Sequence, residues 1–216
     1  MEFKIDQPVL IGSHTSPMAN IRGVLDSDKS ALYEVCVATG DSGNDASGHH
    51  PHPEMLGDVY VGPYLELAAE TSFVLVDEIN RGVGYGLSTI DTVAFEKLCQ
   101  TQWWPRIQVK YESFRNNLAD SFLLQEIFNP STSPIVVLAD YPSHGHIDLL
   151  PLYQGQGFGK AIMKTMERRL EELGSPGFHL RVSARNARGL KFYDRLGYSV
   201  LHQSESEVIV GKRLNQ

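Results

Sequence analysis

The chain has 216 residues, 42% of them hydrophobic and 21% charged, with a formal net charge of −7. That length and balance fit one soluble α/β domain with a real core and fall short of two large ones. The acidic balance argues against sequence-independent binding of nucleic acid, which needs a basic footprint, and no stretch approaches the ~20 apolar residues of a membrane span.

The segment from Met1 to Asp6 carries an acid and lacks the apolar run of a signal peptide. Cys36 and Cys99 fall in helix-like segments. Both features predict reduced structural thiols in a cytoplasmic protein. Residues 1–17 have weak periodicity and read as an extension or an added edge strand, with a single domain over residues 18–216. Ala19 to Val24 reads as the first strand. Asp26-Ser-Asp-Lys-Ser opens a helix with Leu32, Val35 and Cys36 on one face and Gly40 after it. A polar loop follows, and its run His49-His50-Pro51-His52 has a spacing that fits no common zinc site; no metal is expected. Residues 54–67 form a broken helical stretch. Ser72 to Val76 and Gly82 to Thr89 look like a strand pair joined near Asn80. Thr92 to Tyr111 and Leu118 to Phe128 are helical insertions. Trp103 can wall a pocket or simply pack an inserted helix.

The most informative stretch runs from His146 to Lys160. A short strand ends at Leu149-Leu150-Pro151, a glycine-rich turn follows, and then a helix begins. Free backbone N–H groups and a helix N-terminus at one point make a site for phosphate. Gly155, Gly157 and Gly159 allow close approach of backbone to ligand, and Lys160 adds a positive charge. A P-loop needs four residues between its first glycine and Gly-Lys-Ser/Thr; three separate Gly155 from Gly159, and Ala161 stands where the hydroxyl should be. A dinucleotide fingerprint needs Gly-x-Gly-x-x-Gly near the start of a βαβ unit, and this Gly-x-Gly-x-Gly lies late in the chain.

Downstream, Ile162, Met166, Leu170 and Leu173 recur on one face of a helix, with Lys164, Glu167, Arg168 and Glu171 on the wet side and Gly174 at its end. Phe178, Leu180 and Val182 then alternate with His179, Arg181 and Ser183, the pattern of a half-buried strand. Asn186 can cap a short helix that Gly197 closes. Ser199 to His202 and Glu207 to Gly211 read as a closing strand pair.

Gln154-x-x-Gly157-x-Gly159 resembles the pantetheine- and pyrophosphate-binding motif of the GNAT superfamily of acyl-CoA-dependent acetyltransferases. Asn186, with Tyr193-x-x-x-Gly197-Tyr198 after it, resembles that superfamily's second signature. Gly40-Asp41, Val61 to Tyr64, Gly84-Tyr85-Gly86, Asp91-Thr92-x-x-Phe95, Trp103-Trp104-Pro105 and His146 to Pro151 look like the C-terminal acetyltransferase-like domain of O-GlcNAcase and its stand-alone bacterial relatives. Nothing in the chain resembles a glycoside hydrolase domain.

The resemblance implies a GNAT fold: a mixed central sheet of about seven strands, with splayed central strands, flanking helices and an extra helical insertion between strands 3 and 4. It implies an acetyl-CoA-dependent N-acetyltransferase that passes the acetyl group directly to an amine, small molecule or protein, and releases CoA. The backbone of Leu149, Leu150 and Leu152 would pair with pantetheine. Gln154, Gly155, Gln156, Gly157, Phe158, Gly159 and Lys160 would hold the pyrophosphate, and Asn186 and Tyr193 would touch the cofactor. Tyr193, a phenol protonated at neutral pH, is the candidate general acid, or else a satisfied core tyrosine. His144, His146 and Asp148 share one side of their strand. His146 is the candidate base, with Asp148 orienting it or attracting a cationic acceptor; the plain alternative is local hydrogen bonding at a strand end. Asp91 and Trp103 are candidates for the acceptor side, near the histidine-rich loop. The second functional expectation is a module that binds acetyl-CoA or a partner protein without turnover. Assembly as a homodimer through the closing strands or the insertions is also an expectation.

Overall fold

The computed structural model describes residues 17–116 and 118–214. Apart from its last residue, the expected N-terminal extension lies outside them.

Seven strands form one sheet in the order β1-β2-β3-β4-β5-β7-β6. They are β1 (Asn20–Gly23), β2 (Phe73–Val76), β3 (Gly82–Thr89), β4 (Ser143–Leu149), β5 (Gly177–Ser183), β6 (Ser199–Gln203) and β7 (Glu207–Arg213). Only β4 and β5 run parallel; every other neighbouring pair is antiparallel. Between β1 and β2 lie α1 (Lys29–Thr39), α2 (Glu54–Tyr60) and α3 (Gly62–Leu67). The insertion between β3 and β4 holds α4 (Thr92–Leu98), α5 (Trp104–Tyr111), α6 (Ser121–Phe128) and α7 (Ile135–Leu138). A π-helical turn, Cys99–Trp103, joins α4 to α5. The long α8 (Phe158–Glu172) crosses from β4 to β5, and α9 (Ala187–Arg195) precedes β6.

The sheet is covered on both faces. One apolar layer gathers Leu32, Cys36, Met55, Tyr85, Leu87, Phe95 and Trp103 from α1–α6 and β3. The other gathers Leu149, Ile162, Met163, Met166, Phe178, Leu180 and Tyr193 around α8 and α9. Gly86 lets α8 approach: a Cβ there would stand 2.3 Å from Ile162 Cγ2. Three residues differ from the sequence pattern. Glu167 is buried rather than wet, because Tyr198 Oη (2.8 Å) and Lys212 Nζ (2.7 Å) both donate to its carboxylate. His179 is likewise buried, because both faces of β5 are covered, and its ring is held at Tyr141 O (2.8 Å). Leu173 falls just beyond α8 and is partly exposed; Gly174, at φ +86°, takes the left-handed turn expected of it.

Asp58 ties the insertion to the rest. Tyr33 Oη (2.7 Å), Tyr111 Oη (2.8 Å) and Lys110 Nζ (2.5 Å) converge on its carboxylate, and Trp103 Nε1 donates to its backbone carbonyl (2.9 Å). A buried carboxylate with three donors replaces its lost hydration with fixed dipoles.

Candidate active site

The site begins where β4 and β5 part. Their pairing covers only Ser143↔Phe178, His144↔His179 and Gly145↔Leu180. Beyond that, β4 stays with β3 as far as Leu149↔Gly84, and β5 stays with β7 as far as Ser183↔Glu207. The inner edges of residues 146–149 and 181–183 therefore have no ladder between them. Strand edges left open inside a covered sheet are ready to pair with an amide-bearing chain.

At the mouth of this opening lies the glycine turn. Gly155 (φ +73°) and Gly157 (φ +92°) are left-handed, a conformation that glycine adopts without a Cβ penalty. Gly157 is the N-cap of α8. None of the N–H groups from Gly155 through Lys160 has an acceptor among the described residues. Six consecutive donors, three of them the unpaired first N–H groups of α8, make an anion cradle. Gln154 is used otherwise than expected: its side-chain amide donates to Leu149 O (2.6 Å) and braces the loop against the strand end. Gln156 braces Leu152 O in the same way. The backbone of Leu150 is already engaged, its N–H on Val83 O (3.0 Å) and its carbonyl under Tyr153 N–H (2.9 Å). That leaves the second lone pair of the Leu150 carbonyl for pantetheine, whereas the Leu152 N–H has no acceptor among the described residues. Lys160 is exposed. Asn186 caps α9, accepting from Gly189 N–H (2.8 Å), which leaves its amide NH2 pointing toward Gly43.

The acid–base candidates lie on the two faces of the sheet beside the opening. His146 and Asp148 share the face of β4 toward α1–α3. Asp148 stands opposite Tyr85 in the register and accepts a hydrogen bond from its hydroxyl (2.7 Å). Burial pushes the Asp148 carboxyl up to about 7, although hydrogen bonds from Tyr85 and Thr39 pull it down. Tyr193 belongs to the opposite layer, yet burial and then the Asp148 charge raise its phenol above the tyrosine range. The Asp148 charge on one face is thus felt by the Tyr193 phenol on the other. The Tyr193 hydroxyl makes no hydrogen bond among the described residues.

His146 is a poorer base than the sequence suggested. Its ring lies edge-on to Tyr64 (5.2 Å) and Tyr85 (5.5 Å). Burial drives it down to about 4, opposed by a hydrogen bond that the ring donates to the Tyr60 backbone carbonyl, and its Nε2 is buried without a partner. His144 is structural, with Tyr64 Oη at 2.7 Å and Thr92 Oγ1 at 2.7 Å on its two nitrogens. The structure does not bring Asp91 or Trp103 to the opening. Asp91 caps α4 through Ala94 N–H (3.0 Å), two residues past Thr89 at the far end of β3 from Tyr85. At ~3.3 Å per strand residue that is roughly 20 Å away. Trp103 is buried against Gly62, where an added Cβ would come within 2.3 Å of the indole. In the histidine loop, His50 pairs with buried Asp120 (3.1 Å). Among the described residues no cluster of metal-ligating side chains forms, and no helix is long and apolar enough to cross a membrane.

Sequence reasoning missed Tyr85. Its signal was the pattern Gly84-Tyr85-Gly86, one bulky polar aromatic between two glycines on a central strand. Also missed was the return of the polar loop: Ser42 Oγ reaches Ser183 Oγ at 3.4 Å, on the last residue of β5.

An open mixed sheet that splays at its one parallel pair, with an anion cradle at the start of the following helix, is the architecture of an acyl-CoA-dependent acetyltransferase. The chain belongs to the GNAT family of acetyltransferases, whose family model matches residues 134–198. It is 32% identical to the protein of the crystal structure of SsHAT, with a TM-score of 0.87 covering 92% of this chain and 99% of that one. It is 29% identical over 209 residues to protein O-GlcNAcase of Rattus norvegicus, a match covering 93% of this chain and 22% of that protein. The chain thus spans about a fifth of the length of that O-GlcNAcase. An acetyltransferase of Sodalis glossinidius is 26% identical over 115 residues, covering 51% of this chain and 78% of that protein.

Proposed function

We propose that the chain transfers the acetyl group of acetyl-CoA to a primary amine, directly and without an acetylated enzyme. The observation that carries this reading is the run of six unpaired N–H groups, Gly155 to Lys160, set at the mouth of the gap between β4 and β5. Orphaned donors at a helix start fit the pyrophosphate of acetyl-CoA, and the unladdered strand edges fit the amides of its pantetheine arm. Acetyl-CoA supplies an activated thioester. The chain's own residues supply placement and protons. Asp148, with a carboxyl near 7, takes a proton from the incoming ammonium, so that a neutral amine attacks the carbonyl carbon. As the carbon–sulfur bond breaks, Tyr193 donates its proton to the departing thiolate, and the second proton shed by the nitrogen as it becomes an amide restores the phenol. A base near the working pH and an acid that stays protonated are the pair this transfer needs. His146, neutral above about 4, is a hydrogen-bonding wall of the acceptor side and leaves proton removal to Asp148.

The test is thiol release from acetyl-CoA with a panel of primary amines, from polyamines and amino sugars to lysine peptides. Tyr193→Phe is expected to lower turnover by about 10²-fold or more with acetyl-CoA affinity nearly unchanged. Equal loss of both would make Tyr193 structural. A second reading, acetyl-CoA binding without turnover, draws support from the likeness to O-GlcNAcase; binding with no thiol release for any acceptor would favour it.

A further inference from the structure

Tyr85 is fully buried, paired opposite Asp148 in the β3–β4 ladder, and donates to Asp148 Oδ2 at 2.7 Å. Gly84 and Gly86 flank it, and neither position has room for a side chain: an added Cβ would meet Leu149 Cδ2 or Ile162 Cγ2 at 2.3 Å. The strand at Tyr85 is therefore pinned by Leu149 and α8, and the phenol has a fixed address. The same ring lies edge-on to His146 at 5.5 Å. Tyr85 thus touches both polar residues that β4 turns toward α1–α3 at the opening.

We propose that Tyr85 is the positioning residue of the acceptor site: its hydroxyl holds one oxygen of the Asp148 carboxylate and leaves the other free for the amine. This rests on the assignment of Asp148 as the base. Thr39, on α1, lies beside the carboxylate as the lesser of its two hydroxyl partners, and its hydroxyl also donates to Val35 O (2.8 Å). The other titratable groups facing Asp148 are Cys36 of α1, whose thiol is pushed up to about 12, and Tyr193 of α9. His146 precedes it on the same face of β4. No lysine or arginine pairs with Asp148 among the described residues. The Tyr85 hydroxyl is therefore the principal dipole opposing desolvation of the carboxylate. Without it, ionisation of the base would require a higher pH.

The experiment is a carbon-13 carboxyl NMR titration of Asp148 in the full chain, which needs no knowledge of the acceptor. In the wild type Asp148 is expected to titrate near 7. In Tyr85→Phe the midpoint should rise by about one unit or more, the worth of a hydrogen bond to a charged group. Thr39→Val should raise it less. Site-specific 3-fluorotyrosine at position 85 keeps the shape and sharpens the donor, so the midpoint should fall; this arm serves if Tyr85→Phe does not fold. An Asp148 midpoint that moves in neither folded Tyr85 protein would overturn the proposal. Full turnover in Asp148→Asn would instead overturn the base assignment on which it rests, while the titration would still report the Tyr85 contact.

Discussion

Asp148 places opposite demands on stability and on chemistry. Its carboxyl is raised in the folded state, so its favourable contribution is complete below the unfolded value of about 3.9 and is lost as pH rises through about 7. Above that point the protein carries a half-buried charge. Asp148→Asn keeps the shape and the Tyr85 contact and removes the charge. Thermal melts should therefore show the variant more stable than wild type at pH 8, on the order of 5 °C, with the gain fading toward pH 5. Acetyl-transfer by the same variant should fall by about 10²–10⁴-fold. A variant less stable at pH 8 would contradict the burial of this charge. That His146 and Asp148 share a face was legible from strand alternation alone. Which of them is the base was not, because the answer depends on desolvation by Tyr64, Tyr85 and α1, residues remote in sequence.

Elements were legible where periodicity and caps agree. The glycine turn, α8 with Gly174 at its end, and α9 between Asn186 and Gly197 all stand where the residue pattern put them. Asp91 shows the limit of such reading. A lone acid after a strand looks like a ligand for an amine, but an aspartate before a helix is more economically a cap. Asp91→Ala should cost about 1 kcal/mol of stability through α4 and leave the KM for the amine acceptor unchanged; a raised acceptor KM would return Asp91 to the site. The insertion was visible as two helical runs, but its attachment was not. Asp58 meets Tyr33, Lys110 and Tyr111 from two other helices, and no local pattern announces that convergence. Asp58→Leu strands the buried Tyr111 phenol and the half-buried Tyr33 phenol and should destabilise the protein by about 3 kcal/mol in denaturant titration.

Over the whole molecule, the sheet holds three histidines in neutral form. Burial lowers His144, His146 and His179 below the usual imidazole range. For a lowered folded-state value, stability is intact above the unfolded pKa of about 6.5 and is lost as pH falls below it. Asp148 runs the other way and offsets part of the loss. Melting temperature should thus drop on acidification from pH 7 toward pH 5, and drop more steeply in Asp148→Asn. A flat profile in both proteins would contradict the buried-histidine account. The most direct test of the whole is calorimetric titration with acetyl-CoA of wild type, Asp148→Asn and Gly157→Glu. Micromolar binding by the first two, abolished in Gly157→Glu where a carboxylate enters the ring of N–H donors, is the predicted result. Undiminished binding by Gly157→Glu, or no binding by wild type, would contradict the site at Gly155–Lys160.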